Sequence, residues 1–220
     1  MNSLYRPPAD NGLDIRYLDA HLIVLNKPSG LLSVPGRGED KQDSLALRVQ
    51  REFPAARVVH RLDMSTSGLM LMALDAQAQA AMGRLFEQRA VDKRYLAVVA
   101  GLPQPQQGEV DLPLITDWPN RPRQKVDQVQ GKPSRTRYQV LGYEQASDTA
   151  QVQLVPLTGR SHQLRVHMMA LGHPILGDEL YADTRWRDAA GRLLLHAERL
   201  GFLHPVTGEQ VHIACPAEFR

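Results

Sequence analysis

Two stretches constrain the fold more than anything else in this chain. In "SRTRYQVLGYE" and "TAQVQLVPL" apolar and polar residues alternate on both sides of residues 145–148, and "LLLHAERLGFLH" faces "EQVHIACP" across a Pro-Val-Thr-Gly turn. Period-two alternation around a short polar turn predicts a β-hairpin, which commits its strands to antiparallel pairing. Two further runs, "DIRYLD" and "HLIVLNKP", read as strands joined at Ala20, and "ARVV", "LMLMAL" and "KRYLAVVAG" read as single strands. Three helices are predicted: residues 44–53 capped by Asp43 and stopped before Pro54, residues 76–90 capped by Asp75, and residues 161–171 ended by Gly172 and Pro174. In the second, Ala78, Met82, Leu85 and Phe86 recur at helical spacing and form a buried stripe. Strand-to-helix alternation of the kind that marks a parallel sheet is missing, so the expected class is α+β with a mixed, largely antiparallel central sheet and flanking helices. A chain of 220 residues suffices for one well-buried domain, or for two small lobes sharing a cleft. We expect one structural unit spanning residues 1–220.

Cys215 is the only cysteine, which excludes an internal disulfide and a thiolate zinc cluster and favours a reducing, cytosolic setting. The N-terminal "MNSLYRPPAD" has no apolar core of a secretory signal, and no apolar run approaches the ~20 residues of a membrane span. The net charge of +2 does not name a partner, but its distribution is uneven. Residues 121–137 hold Arg121, Arg123, Lys125, Lys132, Arg135 and Arg137 against the single acid Asp127. A solvated basic loop and a phosphate-contacting surface both fit that cluster.

The stretch "VVHRLDMSTSGLML", residues 58–71, places a histidine, an arginine and one carboxylate, Asp63, in a polar gap between strand-like runs. Turn chemistry accounts for Ser65, Thr66, Ser67 and Gly68, whose side chains are expected to tie the loop together, but not for the charged pair. Metal chemistry finds no support: His162 and His167, five apart on a predicted helix, point about 140° from each other. Neither a Walker loop nor a GxGxxG segment follows a strand, Ser67-Gly68 lacks the nucleophile-elbow pattern, and the usual glycosidase would need a second carboxylate. A lone catalytic aspartate needs a cation or hydrogen bonds to stay ionised. Arg165 is the arginine we assign to that task, because Leu164, Val166 and Met168 set its helix against the core; a purely structural ion pair is the competing reading. His204, before a proline, is expected to make a structural hydrogen bond.

"HRLDMSTSGLML", then "DKRYLAVV", then "TGRSHQLRVHMMALGHPILGD" resemble, in this order, the three signature segments of the RluA-type pseudouridine synthases. "LNKPSGLLSVPG" and "LLLHAERLGF" resemble that family's flanking segments, so the likeness covers roughly residues 18–219. "KPSGLLSVPGR" and "DLPLITDWPNRPRQKV" are similar to its dual-specificity branch. Val34, where many relatives carry histidine, and Met64, where many carry lysine, depart from the broader pattern and agree with that branch. The resemblance implies a single pseudouridine synthase catalytic domain with a catalytic cleft and no N-terminal S4-like domain. It implies isomerisation of uridine to pseudouridine in RNA without a cofactor or metal, on a tRNA anticodon stem-loop and a 23S rRNA hairpin, by a cytoplasmic protein taken by default as a monomer.

By the same resemblance Asp63 is the catalytic carboxylate, Arg165 its pairing arginine, and Tyr95 the aromatic residue that stacks on the target uracil. Arg61 fills the space left by the flipped base, and His60 is assigned beside it, to RNA contact or to supporting the loop. Arg121, Arg123, Lys125 and Lys132 are assigned to RNA phosphates, with an apolar or stacking contact from Trp118. The alternatives are a family member with a single rRNA or tRNA target, a non-catalytic RNA-binding or ribosome-assembly factor, and an RNA N-glycosidase.

Overall fold

The computed structural model describes residues 5–219. In chain order these form β1 (Ile15–Leu18), β2 (Leu22–Lys27), α1 (Leu45–Glu52), β3 (Arg57–Val58), β4 (Ser67–Ala73), α2 (Ala76–Glu87), β5 (Asp92–Ala100), β6 (Gln107–Asp111), β7 (Leu114–Thr116), β8 (Gln124–Val126), β9 (Arg135–Glu144), β10 (Thr149–Pro156), α3 (Gln163–Ala170), α4 (Thr184–Arg187), β11 (Leu195–Leu203) and β12 (Gln210–Ala214). The chain falls into two compact units. One comprises the residues up to Lys93 together with His196–Glu218, the other Arg94–Leu195 with Phe219.

In the first unit the strands lie in the order β1-β2-β4-β11, with β3 on β4 and β12 on β11. β2 and β4 are antiparallel, whereas β4 and β11 are parallel, with Ser67 opposite His196 and Gly68 opposite Ala197. Every residue of β4 is buried. A strand covered on both faces has no polar side, which is why its sequence reads "LMLMAL" and not as an alternation. The core gathers Leu22, Val24, Leu69, Leu71, Phe202 and Ile213 from the strands, and Ala78 and Met82 from α2, with Leu85 and Phe86 packed at its edge. Asp75 caps α2 by accepting from the Ala78 N–H. The predicted cap of α1 is corrected by one residue: Ser44 accepts from the Leu47 N–H, and Asp43 instead binds the guanidinium of Arg48.

The second unit orders its strands β5-β10-β9-β6, all antiparallel, and adds the separate hairpin β7–β8. Along β10 buried and partly buried residues alternate, so Ala150, Val152 and Leu154 share one face with Leu164 and Met168 of α3. Helix α3 starts at Gln163, later than predicted. His162 takes a left-handed conformation (φ 54°), and the Gln163 carboxamide oxygen accepts from the Thr158 hydroxyl and the Arg160 N–H. The rotation argument for His162 and His167 is thereby corrected, since only His167 is helical.

Candidate active site

Asp63 lies in the connection between β3 and β4, and that connection is held mainly from outside itself. The Ser33 hydroxyl donates to the Leu62 carbonyl (2.6 Å) and accepts from the Leu62 N–H (3.0 Å), so one buried side chain fixes both polar groups of the preceding residue. Ser29 donates to the Ser65 carbonyl (2.7 Å), and the Gly30 N–H reaches the Met64 carbonyl. Thr66 closes a turn by donating its N–H to the Asp63 carbonyl. The hydroxyls expected to tie the loop from within do less of this: Ser67 turns away, donating to Nδ1 of His196, whose Nε2 donates to the Cys215 carbonyl. Gly68 ends the loop at φ 108°, and a Cβ there would meet the Ala197 carbonyl oxygen at 2.4 Å. Only glycine allows β4 to approach β11 so closely.

Lys27, at the end of β2, is fully buried, and its ammonium donates to the carbonyls of Leu31 (2.7 Å), Pro28 (2.9 Å) and Met64 (3.0 Å). An ammonium has three N–H groups, and all three are spent on backbone, one of them on the residue that follows Asp63. Burial lowers its pKa to about 7, opposed by the nearby charge of Asp63. Loss of the proton would leave the amine one donor short of its three carbonyls. Lys27, Ser29 and Ser33 were missed as functional residues, although they sit in "LNKPSGLLSVPG"; a lysine inside an apolar strand was the available signal.

Of the residues predicted beside Asp63, Arg61 is exposed and His60 is turned inward. The His60 ring stacks on Phe86 at 4.6 Å, and its Nε2 accepts from the Leu71 N–H. Burial, aided by the Lys93 charge, pushes its pKa down to about 3, so the ring is a neutral acceptor at ordinary pH. This geometry places His60 with the supports of the loop.

In the second unit Arg165 projects from α3 and is almost fully buried. Its Nε and Nη2 donate to the two carboxylate oxygens of Asp178, at 2.8 and 2.6 Å, a fork-to-fork pair. Asp178 also accepts from the N–H groups of Leu180 and Tyr181, so a turn presents it to the helix. The Tyr181 ring lies 5.1 Å from the Arg165 guanidinium, and its hydroxyl pairs with Nδ1 of His162 (2.7 Å). Asp178 and Tyr181 went unnoticed in the sequence, because nothing in "ILGDELYAD" fixes which arginine they face. Tyr95, on β5 opposite Leu154 of β10, is half-buried against the core of this unit.

The basic segment is divided in use. Arg135 and Arg137 on β9 are paired with Glu109 of β6, which leaves less net positive charge than the sequence suggests. Arg121, Arg123, Lys125 and Lys132 are exposed on or beside the hairpin β7–β8. His204 accepts from the N–H groups of Val206 and Thr207, the structural bond expected of it, and His167 bonds Thr136 and the Leu112 carbonyl. Among the described residues no group of three or more histidine, cysteine, aspartate or glutamate side chains is placed to hold a metal ion. No helix of the described residues is long and apolar enough to cross a membrane.

Residues 21–170 match the family model of RNA pseudouridylate synthases. The chain is 55% identical over 215 residues to the dual-specificity RNA pseudouridine synthase RluA of Escherichia coli strain K12, covering 98% of each chain. It is 51% identical over 218 residues to the protein of that name from Vibrio parahaemolyticus, covering 98% of this chain and 87% of the relative. Among solved structures, human RNA pseudouridylate synthase domain containing 1 superposes with a TM-score of 0.81 at 33% identity, over 98% of this chain and 87% of that one.

Proposed function

The chain belongs to the RNA pseudouridylate synthase family and is an isomerase of RNA uridine, and from that premise we propose that Asp63 is its catalytic carboxylate. The observation that carries this is the way the loop is held: backbone on both sides of Asp63 is fixed by Ser33, Ser29 and Lys27. The bond from ribose C1′ to uracil N1 breaks, the base turns, C5 joins C1′, the C5 proton leaves to water, and N1 takes up a proton in its place, so that the product is an isomer of the substrate. One carboxylate suffices, because no water is activated and the base is retained. Attack on C1′ and removal of the C2′ proton both use the same ionised Asp63.

Tyr95 offers an aromatic face to the uracil, which must leave the RNA stack to react. Arg165 supplies the cation that favours an ionised carboxylate during the reaction. Arg61, exposed near Asp63, occupies the gap left by the flipped base. Arg121, Arg123, Lys125 and Lys132 meet phosphates. We read both units as one catalytic domain of a cytoplasmic, monomeric protein. Its substrates are a uridine in a tRNA anticodon stem-loop and one in a 23S rRNA hairpin, by likeness to relatives named as dual-specificity enzymes.

The test is release of tritium from C5-labelled uridine. Wild-type protein should release label from both RNAs, and Asp63→Asn should lower the rate by at least about a thousandfold without changing the melting temperature. Full activity in Asp63→Asn would overturn the assignment of the carboxylate. Release from only one of the two RNAs would overturn dual specificity.

A further inference from the structure

The hairpin β7–β8 carries at its tip the segment Asp117-Trp118-Pro119-Asn120-Arg121. Trp118 is 65% exposed, and the Arg121 guanidinium lies 3.2 Å from its ring centroid. An exposed indole beside a planar guanidinium presents flat faces of the kind on which an unpaired base stacks. The tip is braced: the Asn120 side chain donates to Asp117, and backbone bonds link Asp117, Asn120 and Arg123. The hairpin is rooted by the Gln124 N–H, which donates to the Tyr181 hydroxyl (2.8 Å), and by Arg123, which donates to the Leu180 carbonyl. Leu180 and Tyr181 belong to the turn whose Asp178 holds Arg165, so one frame carries both the tip and that arginine.

We propose that Trp118, its ring backed by the Arg121 guanidinium, forms a base-stacking site, which holds an unpaired base of the substrate RNA loop other than the isomerised uridine. Aromatic rings and guanidinium planes are the surfaces on which single-stranded bases are held, and a stacked base needs no sequence-specific edge contact. The exposed Lys125 and Lys132 supply positive charge for the flanking phosphates. The site selects loops with a base free to stack, and acts on binding and not on bond breaking. It rests on the synthase reading above.

The experiment measures tritium release under steady-state and saturating single-turnover conditions, with an anticodon stem-loop and an rRNA hairpin, for wild type, Trp118→Ala and Trp118→Phe. We expect KM for at least one RNA to rise about tenfold or more in Trp118→Ala, with the saturating rate kept and most of the affinity restored in Trp118→Phe. An unchanged KM for both RNAs would overturn the site, and so would a loss confined to the saturating rate. Failure of the wild-type protein to release label would instead overturn the synthase reading, which keeps the two failures apart.

Discussion

Asp63 sits on a loop whose backbone is tied by other side chains, whereas Arg165 sits on a helix whose backbone needs no such ties and whose guanidinium is itself held. Around Asp63 the restraining groups are two serine hydroxyls and a buried ammonium, all directed at peptide groups. Around Arg165 the restraint is a bidentate ion pair with a fully buried carboxylate that also accepts two backbone N–H groups. On the proposal that Asp63 is the catalytic carboxylate, fixing its peptide neighbours sets where that carboxylate stands. A cation that only has to stay in place can have its direction set by another charge. The two solutions carry different liabilities, since hydrogen bonds to peptides are lost singly while a buried ion pair fails as a whole.

The largest effect should follow from breaking the pair. Asp178→Ala removes the bidentate carboxylate from a buried guanidinium and should cost about 3–5 kcal/mol of stability, read as a lowered urea midpoint at unchanged slope. A cost below about 1 kcal/mol would mean that Arg165 is not anchored by Asp178.

Next comes Lys27→Met, which strips three carbonyls of their donor and should cost about 2–3 kcal/mol near neutral pH. It also has a pH signature. Unfolded Lys27 keeps its proton to about 10.5 and the folded form to about 7, so across that window the unfolded chain binds more protons. Wild-type stability should therefore gain a rising contribution from pH 7 to 10.5, complete above 10.5 and lost as pH falls to 7. Denaturation curves at several pH values should show that contribution in wild type and its loss in Lys27→Met.

The smallest effect is expected for Ser33→Ala, about 1–2 kcal/mol, because one hydroxyl serves both the N–H and the carbonyl of Leu62. Its thermal shift should be accompanied by slower tritium release, as the residue before Asp63 is freed. An unchanged rate would show that the loop keeps its shape without this tie.

Much of the architecture was legible because it is local. Both hairpins form where alternation and turn residues predicted them, and α2 buries the stripe read from its spacing. Errors arose where two neighbouring residues could do the same job. Asp43 and Ser44 can each cap a helix, and the choice went to Ser44 because Asp43 is engaged by Arg48. No strand is predicted for the hairpin β7–β8, since its strands are three residues each and part of its pairing comes from Lys132.

The sequence by itself determined the periodicity of its strands and helices, the glycine at the close approach of β4 to β11, and the motifs that carry Asp63, Tyr95 and Arg165. Tertiary structure alone decided which groups hold them. Lys27 reaches the carbonyl of Met64, 37 positions away, and Ser33 reaches Leu62, 29 positions away, because β2 and β4 are neighbours. Hydrogen bonds and ion pairs act over about 3 Å, so their partners follow from strand order and helix placement, which no local pattern of residue types encodes.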